Sequence, residues 1–302
     1  MGKPLKPTLR HILEYAALRS VVFLLGLLPL RAALVFGAAL GRLAWMLGTR
    51  RRVSLANIRQ AFPGIGDREA RRIGSRSYAS AGRFMVEFAR QDRLGVRHLE
   101  KFVTVRTPEV LEEFARTGGI GVGFHFGNWE LLGMIVRKAG ADVSLLVGKQ
   151  HNSLVDGFIN RLRSSHGIGL ITRDGAMRGI FRTVKSGGAV CWLSDQDAGR
   201  NGVIVDFFGF PASTPRGAAA IAVRTGCPVY PMFLIREKGP RQTAVMFEPI
   251  LPRTDLPAEE AERILTQEYT LRLEEMVRAY PDHYWWAHRR WKTTGLYSSV
   301  RR

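Results

Sequence analysis

Apolar and polar positions follow two rhythms along this chain. From Arg51 to Ala61 and from Asp67 to Arg90, apolar residues recur at helical spacing, and Phe62-Pro63-Gly64 separates the two stretches. Further on, short apolar runs predict strands at Ile120 to Phe124, Val143 to Val147, Ile168 to Thr172 and Ala189 to Leu193. Between them, Trp129 to Lys138, Leu154 to Ser165 and Ala176 to Lys185 carry the helical period. Ser213-Thr214-Pro215 offers a hydroxyl N-cap and a first-turn proline, predicting a helix that continues into Ala218 to Val223. Val229 to Ile235 and Thr243 to Phe247 read as strands, and Ala258 to Ala279 as a long charged helix. Such alternation implies an α/β sheet with helices on its faces.

The N-terminal pattern is different. Val21 to Leu30 is wholly apolar, and after Arg31 and Arg42 come the runs Ala32 to Leu40 and Leu43 to Leu47. This stretch is too long for a secretory signal and lacks a small-residue cleavage site. A single span from Ser20 to Gly41 has the necessary length but would bury Arg31 and Pro29. Two helices broken near Pro29, dipping into one leaflet with basic residues at the headgroups, fit better than a span or a core hairpin. Residues 1–50 are therefore expected to form a helical membrane-association segment, and residues 51–302 the catalytic domain.

Charge narrows the partners. The 302 residues carry a formal net charge of +19, which draws nucleic acid, anionic lipid or acidic proteins. The basic residues are spread rather than gathered in a tail, and no zinc-finger spacing or nucleic-acid module appears. Cys191 and Cys227 sit in apolar sequence outside any redox or metal motif, as buried thiols in a reducing compartment would.

The candidate chemistry lies in Gly123-Phe124-His125-Phe126-Gly127-Asn128-Trp129-Glu130, where an expected strand gives way to an expected helix. A neutral imidazole suits proton abstraction from a hydroxyl near neutral pH, and a carboxylate on its other nitrogen would orient it. His125 and Glu130 are five apart, so they meet only if His125 lies on the turn and Glu130 in the first helical turn. Gly127 and Asn128 suit that turn, Asn128 as N-cap. The alternative is a backbone-satisfied histidine and a glutamate favouring a helix N-terminus.

These residues resemble the His-x4-Asp/Glu motif of the glycerolipid acyltransferase superfamily, and the surrounding sequence its lipid A late acyltransferase branch (lauroyl and myristoyl type). Arg52 to Pro63, Asp195-Gln196-Asp197 with Phe207-Phe208-Gly209, Pro228 to Pro231, and Tyr284 to Lys292 match further blocks in order. The resemblance extends from Arg31 to Gly295. It implies an α/β fold with a mixed central sheet flanked by helices and an N-terminal helical membrane anchor. It further implies transfer of a fatty acyl chain from a thioester, usually on acyl carrier protein, to a glycolipid hydroxyl. The best acceptor is a lipid A precursor, and the enzyme would work at the cytoplasmic face of the bacterial inner membrane. His125 would be the general base and Glu130 its orienting acid, with no metal or cofactor besides acyl-carrier-protein or coenzyme A thioester as co-substrate. A phosphatidylinositol mannoside or lysophospholipid acceptor is the rival within enzymes, and a basic membrane-surface or nucleic-acid-binding protein the rival outside them.

The remaining polar groups divide by chemistry. Asn128, Lys149, Asn152, Arg161, Arg163, Arg173 and Arg216 are candidates for holding an anionic acceptor, because arginine forks suit phosphate; a solvated helix face is the alternative for each. Where relatives carry a Tyr-Arg-Pro-like stretch, this chain reads Gly148-Lys149-Gln150. Asp195 and Asp197 are expected to border the site; with Asp206 they could suggest a hard-metal site, but their irregular spacing favours loop capping or salt bridging. The mixture of rings and cations from Tyr284 to Lys292 fits a membrane interface, single-stranded nucleic acid or packing onto the sheet. His288 lacks an acid at useful spacing and is the weaker catalytic candidate.

Overall fold

A computed structural model describes residues 7–172 and 176–297. The helices are α1 (Leu9–Leu27), α2 (Leu30–Met46), α3 (Arg51–Ala61), α4 (Asp67–Ala89), α5 (Val96–Phe102), α6 (Pro108–Thr117), α7 (Glu130–Lys138), α8 (Ser153–Ser164), α9 (Ala176–Lys185), α10 (Gly217–Thr225) and α11 (Ala258–Ala279). The strands are β1 (Val103–Val105), β2 (Gly119–Gly123), β3 (Val143–Val147), β4 (Gly169–Thr172), β5 (Ala189–Leu193), β6 (Val203–Phe207), β7 (Phe210–Thr214), β8 (Val229–Arg236) and β9 (Gln242–Met246).

Seven strands form one sheet in the order β1-β9-β8-β2-β5-β3-β4, and β6 and β7 make a separate antiparallel hairpin. The large sheet is mixed, since only β8 and β9 pair antiparallel. Helices cover both faces, so its central strands are buried on both sides. Strand β8 shows this directly. Phe233 and Ile235 face a cluster with Phe124, Tyr269 and Trp286, while Tyr230, Met232 and Leu234 face one with Leu131, Met134 and Ile135.

The N-terminal pair breaks at Leu28-Pro29, as the sequence suggests. Among the described residues no single helix is long and apolar enough to cross a membrane; α2 and α3, bent by 92°, pass that test only together. Helix α2 buries Ala33, Leu34, Gly37 and Ala38 against α4 and leaves Val35, Phe36, Leu40, Leu43 and Met46 exposed. The helices cross at glycines: a Cβ on Gly82 would run into the Gly37 carbonyl oxygen, and one on Gly41 into that of Tyr78.

Two expected caps are not used. Ser213 and Thr214 end β7 rather than capping α10; Ser213 Oγ donates to the Gly199 carbonyl, and the N-cap of α10 is Arg216. Asn128 does not cap α7, whose N-cap is Trp129; its amide reaches Glu87 instead, at 2.7 Å. In both cases a tertiary acceptor wins over the local backbone. The C-terminal run packs inward, with Tyr284, Trp286, Arg290 and Trp291 buried. Arg290 donates to the Ser213 carbonyl and the Thr214 hydroxyl, and its guanidinium lies over the Phe207 ring. This matches the packing alternative for that segment.

Candidate active site

Strands β2 and β5 are parallel neighbours, with Gly123 opposite Leu193. The ladder continues one step beyond them, Ser194 N donating to the Gly123 carbonyl at 3.1 Å. Two residues past each strand end stand His125 and Asp195, brought face to face by this register. His125 Nδ1 and Asp195 Oδ1 are 2.8 Å apart. The Asp195 side chain is 2% exposed and that of His125 21%, so the acid is sealed while the ring reaches the surface.

The backbone around His125 is held on several sides. Trp285 N donates to the His125 carbonyl, and Gly127 N to that of His283. Gly127 has φ +60°, and a Cβ there would strike the Leu234 carbonyl oxygen, so only glycine fits this turn. The Trp129 ring meets the imidazole edge-on, 4.9 Å between centroids.

The hydrogen bonds also assign the tautomer. Asp195 is an acceptor, so Nδ1 carries the proton, and the Nε2 lone pair faces the Gln196 side-chain amide nitrogen at 3.2 Å. Burial alone would raise the Asp195 pKa, but the His125 ring and backbone together with Arg290 outweigh it and hold the carboxyl below its usual range. Burial, with the Asp195 charge, pushes the nearby Tyr284 phenol well up, keeping it protonated.

Glu130 opens α7 as expected, but its carboxylate is not the acid bonded to His125. Both its oxygens are engaged by Arg163, Nη2 at 2.6 Å and Nε at 3.1 and 3.2 Å. The predicted partnership is therefore replaced by two pairs, His125 with Asp195 and Glu130 with Arg163. The reason is the direction of α7, which turns the Glu130 side chain toward α8, where Arg163 lies.

Glu130, Arg163 and Trp129 line a cavity of about 70 Å3. Its apolar wall is made by Leu132, Gly133, Leu145, Cys191 and Met232. Burial pushes the Cys191 thiol up to about 12, so it serves here as an apolar surface and not a nucleophile. Proton abstraction beside an apolar slot is the chemistry this arrangement offers.

The other candidates scatter. Asn152 caps α8 through Leu154 N at 3.0 Å and donates to the His11 carbonyl and Glu14, tying α8 to α1. Arg161 reaches the Tyr15 hydroxyl at 3.4 Å, and Lys149 is an exposed loop residue. Arg216 forks onto Glu262 at 2.6 and 2.9 Å, away from the cavity. Arg173 lies outside the described residues. Asp197 receives Thr293 N and its hydroxyl, and Asp206 receives Gly209 N, so both act as loop caps. His288 accepts from Asp197 N at 2.9 Å, and burial lowers its pKa to about 4. Gln196 and Tyr284 also belong to the site; both lie in blocks that carry the resemblance, but the sequence does not show that their side chains meet His125 and Asp195.

The fold and this histidine–carboxylate pair define an α/β protein with a carboxylate-bonded imidazole at the carboxyl edge of its sheet. The chain belongs to the bacterial lipid A biosynthesis acyltransferase family, whose model matches residues 3–293. It is 26% identical over 285 residues to the lipid A biosynthesis lauroyltransferase of Escherichia coli, covering 91% of this chain and 90% of that one. With the lipid A biosynthesis myristoyltransferase of the same organism it shares 24% over 253 residues, 82% and 77% of the two chains. It is 34% identical to the phosphatidylinositol mannoside acyltransferase of Mycobacterium tuberculosis over 112 residues, a stretch that spans 35% of each protein.

Proposed function

We propose that this chain transfers a fatty acyl group from a thioester to a hydroxyl of a glycolipid, with His125 as general base. The observation that carries the reading is the 2.8 Å contact between His125 Nδ1 and a buried Asp195, which leaves Nε2 facing the Gln196 side-chain amide. The acceptor hydroxyl replaces the Gln196 amide at Nε2 and gives up its proton there as its oxygen bonds to the thioester carbonyl carbon. The C–S bond then breaks, and the imidazolium returns the proton to the leaving thiolate. Asp195 holds the tautomer and stabilises the imidazolium. Glu130 anchors Arg163 at the cavity that accommodates the start of the acyl chain.

A lipid A precursor is the favoured acceptor, supported by similarity that spans 90% of the lauroyltransferase and 77% of the myristoyltransferase. The 34% stretch favours a phosphatidylinositol mannoside as the second reading. Acyl carrier protein, being acidic, suits the +19 charge as donor carrier. Residues 1–50 associate with the cytoplasmic face of the inner membrane through the exposed apolar side of α1 and α2. No metal or organic cofactor enters the scheme. Incubating the purified protein with acyl carrier protein thioester and each acceptor, with products weighed by mass spectrometry, tests it. His125→Ala should lower turnover by about 10²–10⁴-fold; near-normal turnover would defeat the assignment.

A further inference from the structure

A second cavity lies outside this scheme. Helices α2 and α4, the end of α5 and the turn between β8 and β9 enclose about 950 Å3. It shares no lining residue with the cavity beside His125. Eight of the lining residues are arginine or lysine, against two carboxylates, Glu237 and Asp282. Both acids are already engaged, Glu237 by the Thr243 hydroxyl and Asp282 by the His283 ring. Of the eight cations, among the described residues only Arg236 has a carboxylate at ion-pairing distance, the buried Glu87.

Arg83 shows what this concentration costs. It projects from α4 half-buried, and burial, then Arg236 and Arg42, push its pKa down. Guanidinium groups crowded in this way favour a multiply charged anion, and their paired donors fit phosphate oxygens. One wall is apolar: Leu34 and Val35 of α2 line the basin, and Val35 continues into the exposed row of Phe36, Leu40 and Leu43. A charged basin opening beside an uncovered apolar helix matches an amphiphile with a phosphorylated head, and matches free phosphate or nucleic acid less well. The basin also touches the catalytic turn. His283 lines it, its ring stacks on Phe126, and its carbonyl accepts from Gly127 N at 3.0 Å.

We propose that this basin binds the phosphate of a lipid headgroup, the acyl chains of that lipid lying along the outward face of α2. The inference takes from the proposed function only that the protein works on lipids. Two sources share the chemistry, a phosphorylated glycolipid acceptor and an anionic phospholipid of the bilayer. The test measures binding of the full chain to phosphatidylcholine vesicles, plain or doped with a bisphosphorylated glucosamine-disaccharide lipid, its dephosphorylated form, or phosphatidic acid. The triple variant Arg42→Gln, Arg76→Gln, Arg83→Gln is compared with Arg253→Gln, Arg263→Gln, Arg272→Gln, which removes equal charge elsewhere.

General attraction to an anionic surface weakens both triples alike. The basin variant should lose roughly tenfold or more beyond the control on phosphate-bearing vesicles, and nothing on neutral ones. A basin-specific loss on either phosphorylated lipid supports the proposal, and the lipid that shows it identifies the source. Equal loss in the two triples, or none in the basin variant, overturns it. Thermal melting reports folding, and the exposed single variants Arg42→Gln and Arg76→Gln stand in should the triple unfold. Vesicle binding is read without any acyl donor or turnover, so a failed transfer assay leaves this result readable.

Discussion

Two acid–base pairs stand a few residues apart at the carboxyl edge of the sheet, and they are built for opposite ends. In the first, Asp195 is sealed 2.8 Å from His125 Nδ1, and the other ring nitrogen meets an exchangeable neutral neighbour, the Gln196 side-chain amide. In the second, Glu130 and Arg163 are locked by a fork in which every short contact is internal. An open pair can exchange a proton with a substrate, whereas a closed fork can only hold its members in place. Sharing a sequence motif therefore does not give His125 and Glu130 a shared partner.

The sharpest way to break this contrast is Asp195→Asn. The amide permits the wrong imidazole tautomer, so turnover should fall about 10²–10⁴-fold with the melting temperature little changed. A variant with near-parental turnover would show that another group orients the ring. Next comes Glu130→Ala, which leaves Arg163 partly buried without its counter-charge. Urea unfolding should show a loss of about 2–4 kcal/mol. If stability holds and transfer disappears, Glu130 acts in the chemistry and the contrast fails.

The smallest effect concerns pH and a different imidazole. His288 is kept neutral by burial, its pKa lowered from 6.5 to about 4. As pH falls through that window the unfolded chain takes up a proton that the folded chain refuses, so stability declines from 6.5 toward 4 and levels off below. His98, also lowered to about 4 by burial, contributes in the same direction. His288→Gln should remove its share of the slope in urea titrations across this range and leave that of His98. An unchanged slope would show that His288 is not held neutral.

Much of the sheet was legible because its strands are apolar runs bounded by turns, and each strand from Ile120 to Leu193 lies within a residue or so of its expected place. Strand β1, three residues long, carries no comparable signal. The site was half legible. The sequence puts His125 and Asp195 at strand ends, but their meeting depends on β2 lying beside β5, which a linear pattern does not encode. The misread caps have the same origin, because Asn128 and Ser213 find partners far away in the chain.

The glycine crossing of α2 and α4 has a mechanical consequence. Backbone lies against backbone at Gly37 and Gly82, leaving no side-chain cushion to shear. The greasy flank of α2 and the body bearing His125 thus move as one piece, like a hull with its keel. A medium that took up that flank would set the height at which the imidazole rides, so reach would be fixed by architecture and not by a slack leash.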